Sequence, residues 1–434
     1  MDPSQSPRRL PAKRVAPTPP VHAGGRGRAW FGLALLVLPW LAAAQPLVSP
    51  DGLDEQLRQA TGEEGYLGVV ADVWHKDARV YHRAMGEADL QGTPLREDAI
   101  FRIYSMTKPI TSVAALMLVE EGRLRLDDPV ARHLPEFADL QRVAGGDEAK
   151  PQLAAVLRPL TVRHLLTHTA GFATGGDDIR VASALLQQQA PEDAEDLADY
   201  ARRVARAPLA AEPGTRFRYD GVNSEVLARV IEVASGTPFD VFLQTRIFAP
   251  LDMRDTGFQV PASQRGRIMA LTTRNAEGRR VLADTPSARE PGIPLRAYRS
   301  GAGGLYSTAA DYLRFARMLA NGGELDGIRL LQASTVDQMV QDQLARFDPP
   351  VAYPEAGESF GLGGYVVTDT AKSTRPGSRG QFGWSGAAST WFTIDRTRGL
   401  AIVLMSQHLP TDGAPALPKM AAPFYRQVHS AVSP

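Results

Sequence analysis

The chain has 434 residues, 48 basic and 48 acidic side chains, 44% hydrophobic residues and no cysteine. That length suits one large or two-lobed unit with a sizeable core. The lack of cysteine excludes disulfides, thiol nucleophiles, thiolate-bound metal centres and a lipid anchor on cysteine. The balanced charge gives no support for a polyanionic partner such as nucleic acid.

The amino terminus has the pattern of a secretory signal. Arg8, Arg9, Lys13, Arg14, Arg26 and Arg28 precede an apolar run from Ala29 to Leu41, and Ala42-Ala43-Ala44-Gln45 offers small residues for cleavage. The reading predicts a signal over residues 1–44, a mature start at Gln45, and a periplasmic or secreted protein with no stable membrane insertion. An uncleaved anchor competes with it, but the run is short for a spanning helix. Without the leader, 42 basic face 47 acidic side chains.

Residues 51–61 then read as a helix, and residues 68–74 and 78–84 as two strands of a hairpin. The next helix starts near Ser105. Its apolar residues recur at Ile110, Val113, Ala114, Met117 and Leu118 with helical spacing, Pro109 fits its first turn, and Gly122 ends it. From about 126 to 286 short helical runs (162–168, 179–189, 197–206, 223–235, 239–248) alternate with Pro-, Gly- and acid-rich loops. Helices at 311–321 and 334–341 follow, then strands at 361–367, 381–384, 389–395 and 400–406, and a closing helix at 417–431. Strands at both ends around a mostly helical middle imply one α/β lobe split by an insertion.

Ser105-Met-Thr-Lys108 is the only Ser-x-x-Lys in the chain. Three residues apart on a helix means one face, so the Lys108 amine can reach the Ser105 hydroxyl. A serine hydroxyl is a weak nucleophile until a base takes its proton. The helix amino terminus favours negative charge developing at the serine oxygen. A Ser-His-Asp triad needs no local spacing and stays open. His164 and His168, four apart, form half of a zinc site, but Leu165 replaces the glutamate of His-Glu-x-x-His. The favoured reading is two structural histidines, with no metal and no cofactor. Tyr219 stands just before a helix and can point a phenol into a cleft, although packing alone also explains it. The Gly383–Ala388 segment interrupts two apolar strands, as a bulge, a turn, or a place where a ligand approaches the backbone.

In this order, the segments around Ser105, Tyr219 and Trp384 resemble the serine β-lactamase and penicillin-binding superfamily, and within it the family VIII carboxylesterases, relatives of class C β-lactamases. The resemblance runs from about residue 65 to 424, with family-typical text at residues 160–171, 300–311 and 319–325. It implies a β-lactamase/transpeptidase-like fold of α/β (α+β) class: an antiparallel sheet flanked by terminal helices, with a mostly helical lobe (about 126–286) inserted between the two parts of the α/β lobe (about 46–125 and 287–434). It also implies roles. Ser105 would be acylated, Lys108 would exchange its proton, and Tyr219 would assist and later activate the deacylating water. The backbone N–H groups of Ser105 and Ala387 would form the oxyanion hole. Trp384, Ser385 and Gly386 would line the substrate, where lactamases carry Lys-Thr-Gly and these esterases often Trp-Gly-Gly. Two polar anchors for a lactam are missing: Gly221 replaces an asparagine and Trp384 a lysine, and whether Asn223 compensates stays open. The expected activity is hydrolysis of small carboxylic esters through an acyl-enzyme. The alternatives are a β-lactamase, a D-amino-acid or DD-peptidase, an amide hydrolase or acyltransferase, and a non-catalytic cell-wall-binding or regulatory relative.

Overall fold

Two largely apolar runs, Gly68–His75 and Leu400–Met405, are buried along almost their whole length and lie side by side, more than 300 residues apart in the chain at the Val70↔Met405 and Val73↔Ile402 pairings of one antiparallel ladder. The computed structural model in which they pair describes residues 50–432, apart from positions 173, 412, 414 and 415; the predicted signal at 1–44 lies outside them. Among the described residues no helix is long and apolar enough to cross a membrane.

In chain order the structure holds helix α1 (Pro50–Ala60), strands β1 (Gly68–His75), β2 (Ala78–Gly86) and β3 (Ile100–Arg102), a 3-10 turn at Tyr104–Met106, and helix α2 (Thr107–Glu120). The middle contains the hairpin β4 (Gln141–Gly146) and β5 (Pro151–Ala155), helices α3 (Val162–Leu166), α4 (Arg180–Gln187), α5 (Leu197–Ala205), α6 (Gly221–Ser235) and α7 (Phe239–Leu243), and the hairpin β6 (Thr272–Arg274) and β7 (Arg280–Leu282). Then come α8 (Pro286–Arg289), β8 (Tyr306–Thr308), α9 (Ala309–Ala320), β9 (Glu324–Leu325), β10 (Ile328–Arg329) and α10 (Ala333–Met339). Strands β11 (Glu358–Phe360), β12 (Tyr365–Val367), β13 (Phe382–Gly386), β14 (Thr390–Asp395) and β15 (Leu400–Met405) lead to helix α11 (Ala421–Ala431).

The main sheet has seven strands in the order β11-β12-β13-β14-β15-β1-β2. All its neighbours are antiparallel. Successive side chains on a strand point to opposite faces, so both faces need apolar cover. Val69, Ala71, Val73, Leu400, Ile402 and Leu404 pack with Leu53 and Leu57 of α1 and Phe424 and Val428 of α11. Val70, Val403, Met405, Phe392 and Ile394 point to the other face, which α9 covers, and belong to the same apolar core as α2 and α6. The mixed α/β class, the antiparallel sheet and the flanking terminal helices match the expectation.

Several elements differ from the sequence reading. Helix α2 is buried on every side from Thr107 to Leu118, including Thr111 and Ser112, rather than on one apolar stripe. Two hairpins, β4–β5 and β6–β7, interrupt the helical middle. The strands of the first are largely exposed, so they lack the apolar alternation that announces a half-buried strand. The run at 361–367 is strand only from Tyr365, as β12; its first four residues form the glycine turn that follows β11, with Gly363 at φ +97°. Helix α3 ends at Leu166, so His168 lies beyond it.

Candidate active site

Ser105 sits not in an α-helix but in the 3-10 turn ahead of α2, after Tyr104, whose φ of +41° is costly for a residue with a Cβ. Lys108 enters in the first turn of α2 and is 4% exposed. Its Nζ donates to Ser105 Oγ at 3.0 Å and to the carbonyl of Ala302 at 2.7 Å. Two short bonds from one amine fix its position against the hydroxyl.

Tyr219 arrives from the loop that Asp220 closes by capping α6; the Asp220 carboxylate accepts from the Val222 N–H at 2.9 Å. The Tyr219 ring centroid lies 4.9 Å from Lys108 Nζ, 4.8 Å from the His168 ring and 5.0 Å from the Trp384 ring. Its phenol oxygen accepts from Trp384 Nε1 at 3.3 Å. Tyr219 is 41% exposed, so the phenol faces solvent while the ring is held from behind.

Strand β13 forms the opposite wall. Strand β12 pairs with it only at Tyr365↔Gly383 and Val366↔Phe382, leaving the outer edge of Trp384–Gly386 without a partner strand. The Gly383–Ala388 segment is therefore mostly strand, not an interruption between strands. Gly386 is needed for close approach: a Cβ there would lie 2.3 Å from the Ile103 carbonyl and 2.3 Å from Thr390 Oγ1. That contact brings the end of β13, and Ala387 after it, beside the turn that carries Ser105. Among the described residues neither the Ser105 nor the Ala387 N–H donates to another backbone group.

The two histidines serve the scaffold. His164 Nδ1 accepts from the Thr161 N–H at 3.0 Å and its ring stacks on Phe347. His168 Nδ1 accepts from the Asp220 N–H at 3.2 Å. Burial, reinforced by the charge of Lys108, pushes His168 down to about 3, so the imidazole behind Tyr219 is neutral. Asn223 is 1% exposed and its amide donates back to the Asp220 carbonyl at 3.2 Å. It does not stand in for a side chain at position 221, where a Cβ would meet only Ala302 Cβ at 3.6 Å.

Beside Trp384 and Ser385 lies a cavity of about 540 Å³ walled by Phe217, Tyr219, Tyr353 and Trp391. A larger one of about 730 Å³, near Asp240, Phe258 and Arg299, contains none of the residues around Ser105. Chemistry, not size, locates the site. Two neighbours escaped the sequence reading: Ala302, whose carbonyl holds Lys108, and Glu225, which holds the Ala302 loop. The glycine-rich Ser300–Gly304 text and an acid on a buried helix face were their signals.

A nucleophile candidate with an adjoining amine, a phenol and an unpaired strand edge on this sheet defines a serine acyl-transfer fold. The chain belongs to the beta-lactamase family, whose model matches residues 53–422. Protein Rv1367c of Mycobacterium tuberculosis is 34% identical over 372 residues, covering 83% of this chain and 90% of that protein. Esterase EstB of Burkholderia gladioli is 34% identical over 380 residues, covering 82% and 89%. Among solved structures, EstCE1, described as a hydrolase with promiscuous acyltransferase activity, superposes with a TM-score of 0.69 at 26% identity, covering 89% of this chain and 98% of its own. These relatives support a serine hydrolase of esterase-like activity on small molecules.

Proposed function

We propose that the protein is a carboxylesterase that hydrolyses small neutral esters through an acyl-enzyme on Ser105. The observation that carries the reading is the 3.0 Å contact between Lys108 Nζ and Ser105 Oγ, beneath the Tyr219 ring. Ser105 Oγ attacks the ester carbonyl carbon and its proton passes to the Lys108–Tyr219 side of the site. The N–H groups of Ser105 and Ala387 receive the oxyanion. The carbon–oxygen bond to the alcohol breaks and the alcohol leaves with that proton. Water, deprotonated by the same groups, then attacks the acyl carbon and frees Ser105. Gly221 and Trp384 remove polar anchors that a lactam or peptide would need, which favours a neutral ester.

Ser105→Ala should abolish hydrolysis of 4-nitrophenyl butyrate without unfolding the protein; unchanged turnover would sink the assignment. A second reading, transfer of the acyl group to an alcohol instead of water, draws on the cavity beside Tyr219, which has room for an acceptor. Adding a small alcohol to the assay tests it, because transfer yields the new ester and hydrolysis only the acid. We also propose that the protein acts in the periplasm or outside the cell after loss of residues 1–44. Intact mass of the exported protein tests this, with a start at Gln45 expected.

A further inference from the structure

The buried carboxylate of Glu225, on α6, accepts from Ser300 Oγ and, at 2.8 Å, from the Gly301 N–H. Ser300 Oγ in turn accepts from the Gly303 N–H at 3.0 Å, and Thr111 of α2 donates to the Gly301 carbonyl at 2.8 Å. The loop also lies hard against α6: a Cβ at Gly301 would be 2.7 Å from Ala228 Cβ and 2.7 Å from the Ser224 carbonyl. At its centre is Ala302, the second acceptor for Lys108 Nζ. Among the described residues Glu225 forms no ion pair within 4.0 Å. A buried, unpaired carboxylate is costly to retain and calls for a role.

We propose that Glu225 is a positioning residue for the Ser105–Lys108 pair, clamping the Ser300–Gly304 loop so that the Ala302 carbonyl holds the Lys108 amine beside the serine hydroxyl. The inference rests on the reading of Ser105 and Lys108 given above.

The clamp is sensitive to protonation. The ionised carboxylate accepts both donors. A protonated one turns an oxygen into a donor, facing a Ser300 hydroxyl that already gives its hydrogen to Glu225 and accepts from Gly303. One contact must break or reverse, and the loop loosens. The groups facing Glu225 are Lys108 of α2, Glu192 of the Pro191–Asp193 turn, Tyr200 of α5, Tyr298 just before the loop, and Ser300 within it. Burial outweighs the loop hydrogen bonds and the attraction of Lys108, and pushes Glu225 up to about 7. Turnover should therefore fall as pH drops through that value.

The experiment measures kcat, KM and pH profiles with 4-nitrophenyl butyrate for the wild type, Glu225→Gln and Ser300→Ala, with Ser105→Ala alongside and thermal melts to verify folding. Each clamp variant should lose roughly 10- to 100-fold in kcat with KM little changed, the scale on which misplacing a catalytic group by about an ångström slows a reaction. The low-pH limb near 7 should vanish in Glu225→Gln. A folded Glu225→Gln enzyme with wild-type kcat overturns the proposal, as does a slowed one whose pH profile is unchanged, which would make Glu225 a packing residue. Should Glu225→Gln fail to fold, Ser300→Ala decides: lost kcat supports the clamp and wild-type kcat overturns it. An active Ser105→Ala enzyme would instead remove the nucleophile reading itself, so the two failures are distinct.

Discussion

The indole N–H of Trp384 donates to the phenol oxygen of Tyr219 across 3.3 Å, tying strand β13 to the loop before α6. The two residues are 165 positions apart, and their ring centroids are 5.0 Å apart. The bond sets the direction in which the phenol presents itself above Lys108. Trp384→Phe keeps an aromatic ring and removes the donor. A neutral hydrogen bond contributes about 0.5–1.5 kcal/mol, so kcat should fall roughly 2- to 10-fold while the melting temperature hardly moves. Steady-state kinetics with 4-nitrophenyl butyrate check it, and an unchanged kcat would mean the bond does not orient Tyr219.

Lys108→Ala and Tyr219→Phe remove the groups placed to move the serine proton. Each should lower kcat by ~10²-fold or more, the usual contribution of a positioned acid or base. The double variant should lose much less than the product of the two, because both serve one proton path. A multiplicative loss would show that they act independently.

Gly386→Ala tests the approach of β13 to the nucleophile turn. The added methyl would collide with the Ile103 carbonyl, a backbone atom that cannot swing aside. The strand must move, and the Ala387 N–H with it. Losing one oxyanion donor costs about 10²–10³ in kcat, so a folded but nearly inactive enzyme is expected. Circular dichroism establishes folding, and near-normal activity would place the oxyanion donors elsewhere.

Cephalosporin turnover should be poor beside ester turnover. Two absent polar anchors at about 1 kcal/mol each correspond to roughly 30-fold in kcat/KM. Parallel assays with a cephalosporin and 4-nitrophenyl butyrate decide it. Faster cephalosporin opening would return the protein to the lactamases.

Stability should fall as pH drops below about 6.5. Burial lowers His164 to about 4, His168 to about 3 and His408 to about 4, from an ordinary 6.5. A depressed folded value means the neutral form is favoured by folding. That contribution is complete above 6.5 and is lost as pH falls through the folded values. Glu225 and Asp311, raised to about 7 and about 6, and Asp220, also raised by burial, work in the opposite sense but are fewer than the lowered histidines, which include His75 and His429. Melts from pH 8 to 4.5, in buffers of different ionisation heat, should show a falling midpoint and net proton uptake near pH 5.5. Net release would mean the carboxyl groups prevail.

Local features were legible before the fold was known. Strands 68–74 and 400–406 announced themselves as apolar runs, and both are buried centrally in the sheet. The Ser105-x-x-Lys108 spacing implied contact because side chains three apart on a helical turn are neighbours whatever else surrounds them. The exposed hairpin β4–β5 was invisible because nothing buries its side chains and so nothing imposes alternation. The burial of Thr111 and Ser112 was invisible because it depends on partners contributed by distant loops.

The sequence by itself determined the nucleophile candidate, the family and the mixed α/β class, since these rest on short-range spacing, apolar periodicity and motif order. Only the tertiary structure decided what surrounds Lys108. Ala302, Tyr219 and Glu225 lie 194, 111 and 117 positions away along the chain, and no local rule links them to Lys108. They converge because the apolar faces of α2, α6 and the central sheet can be removed from water only by packing together, and that packing carries their loops to one place.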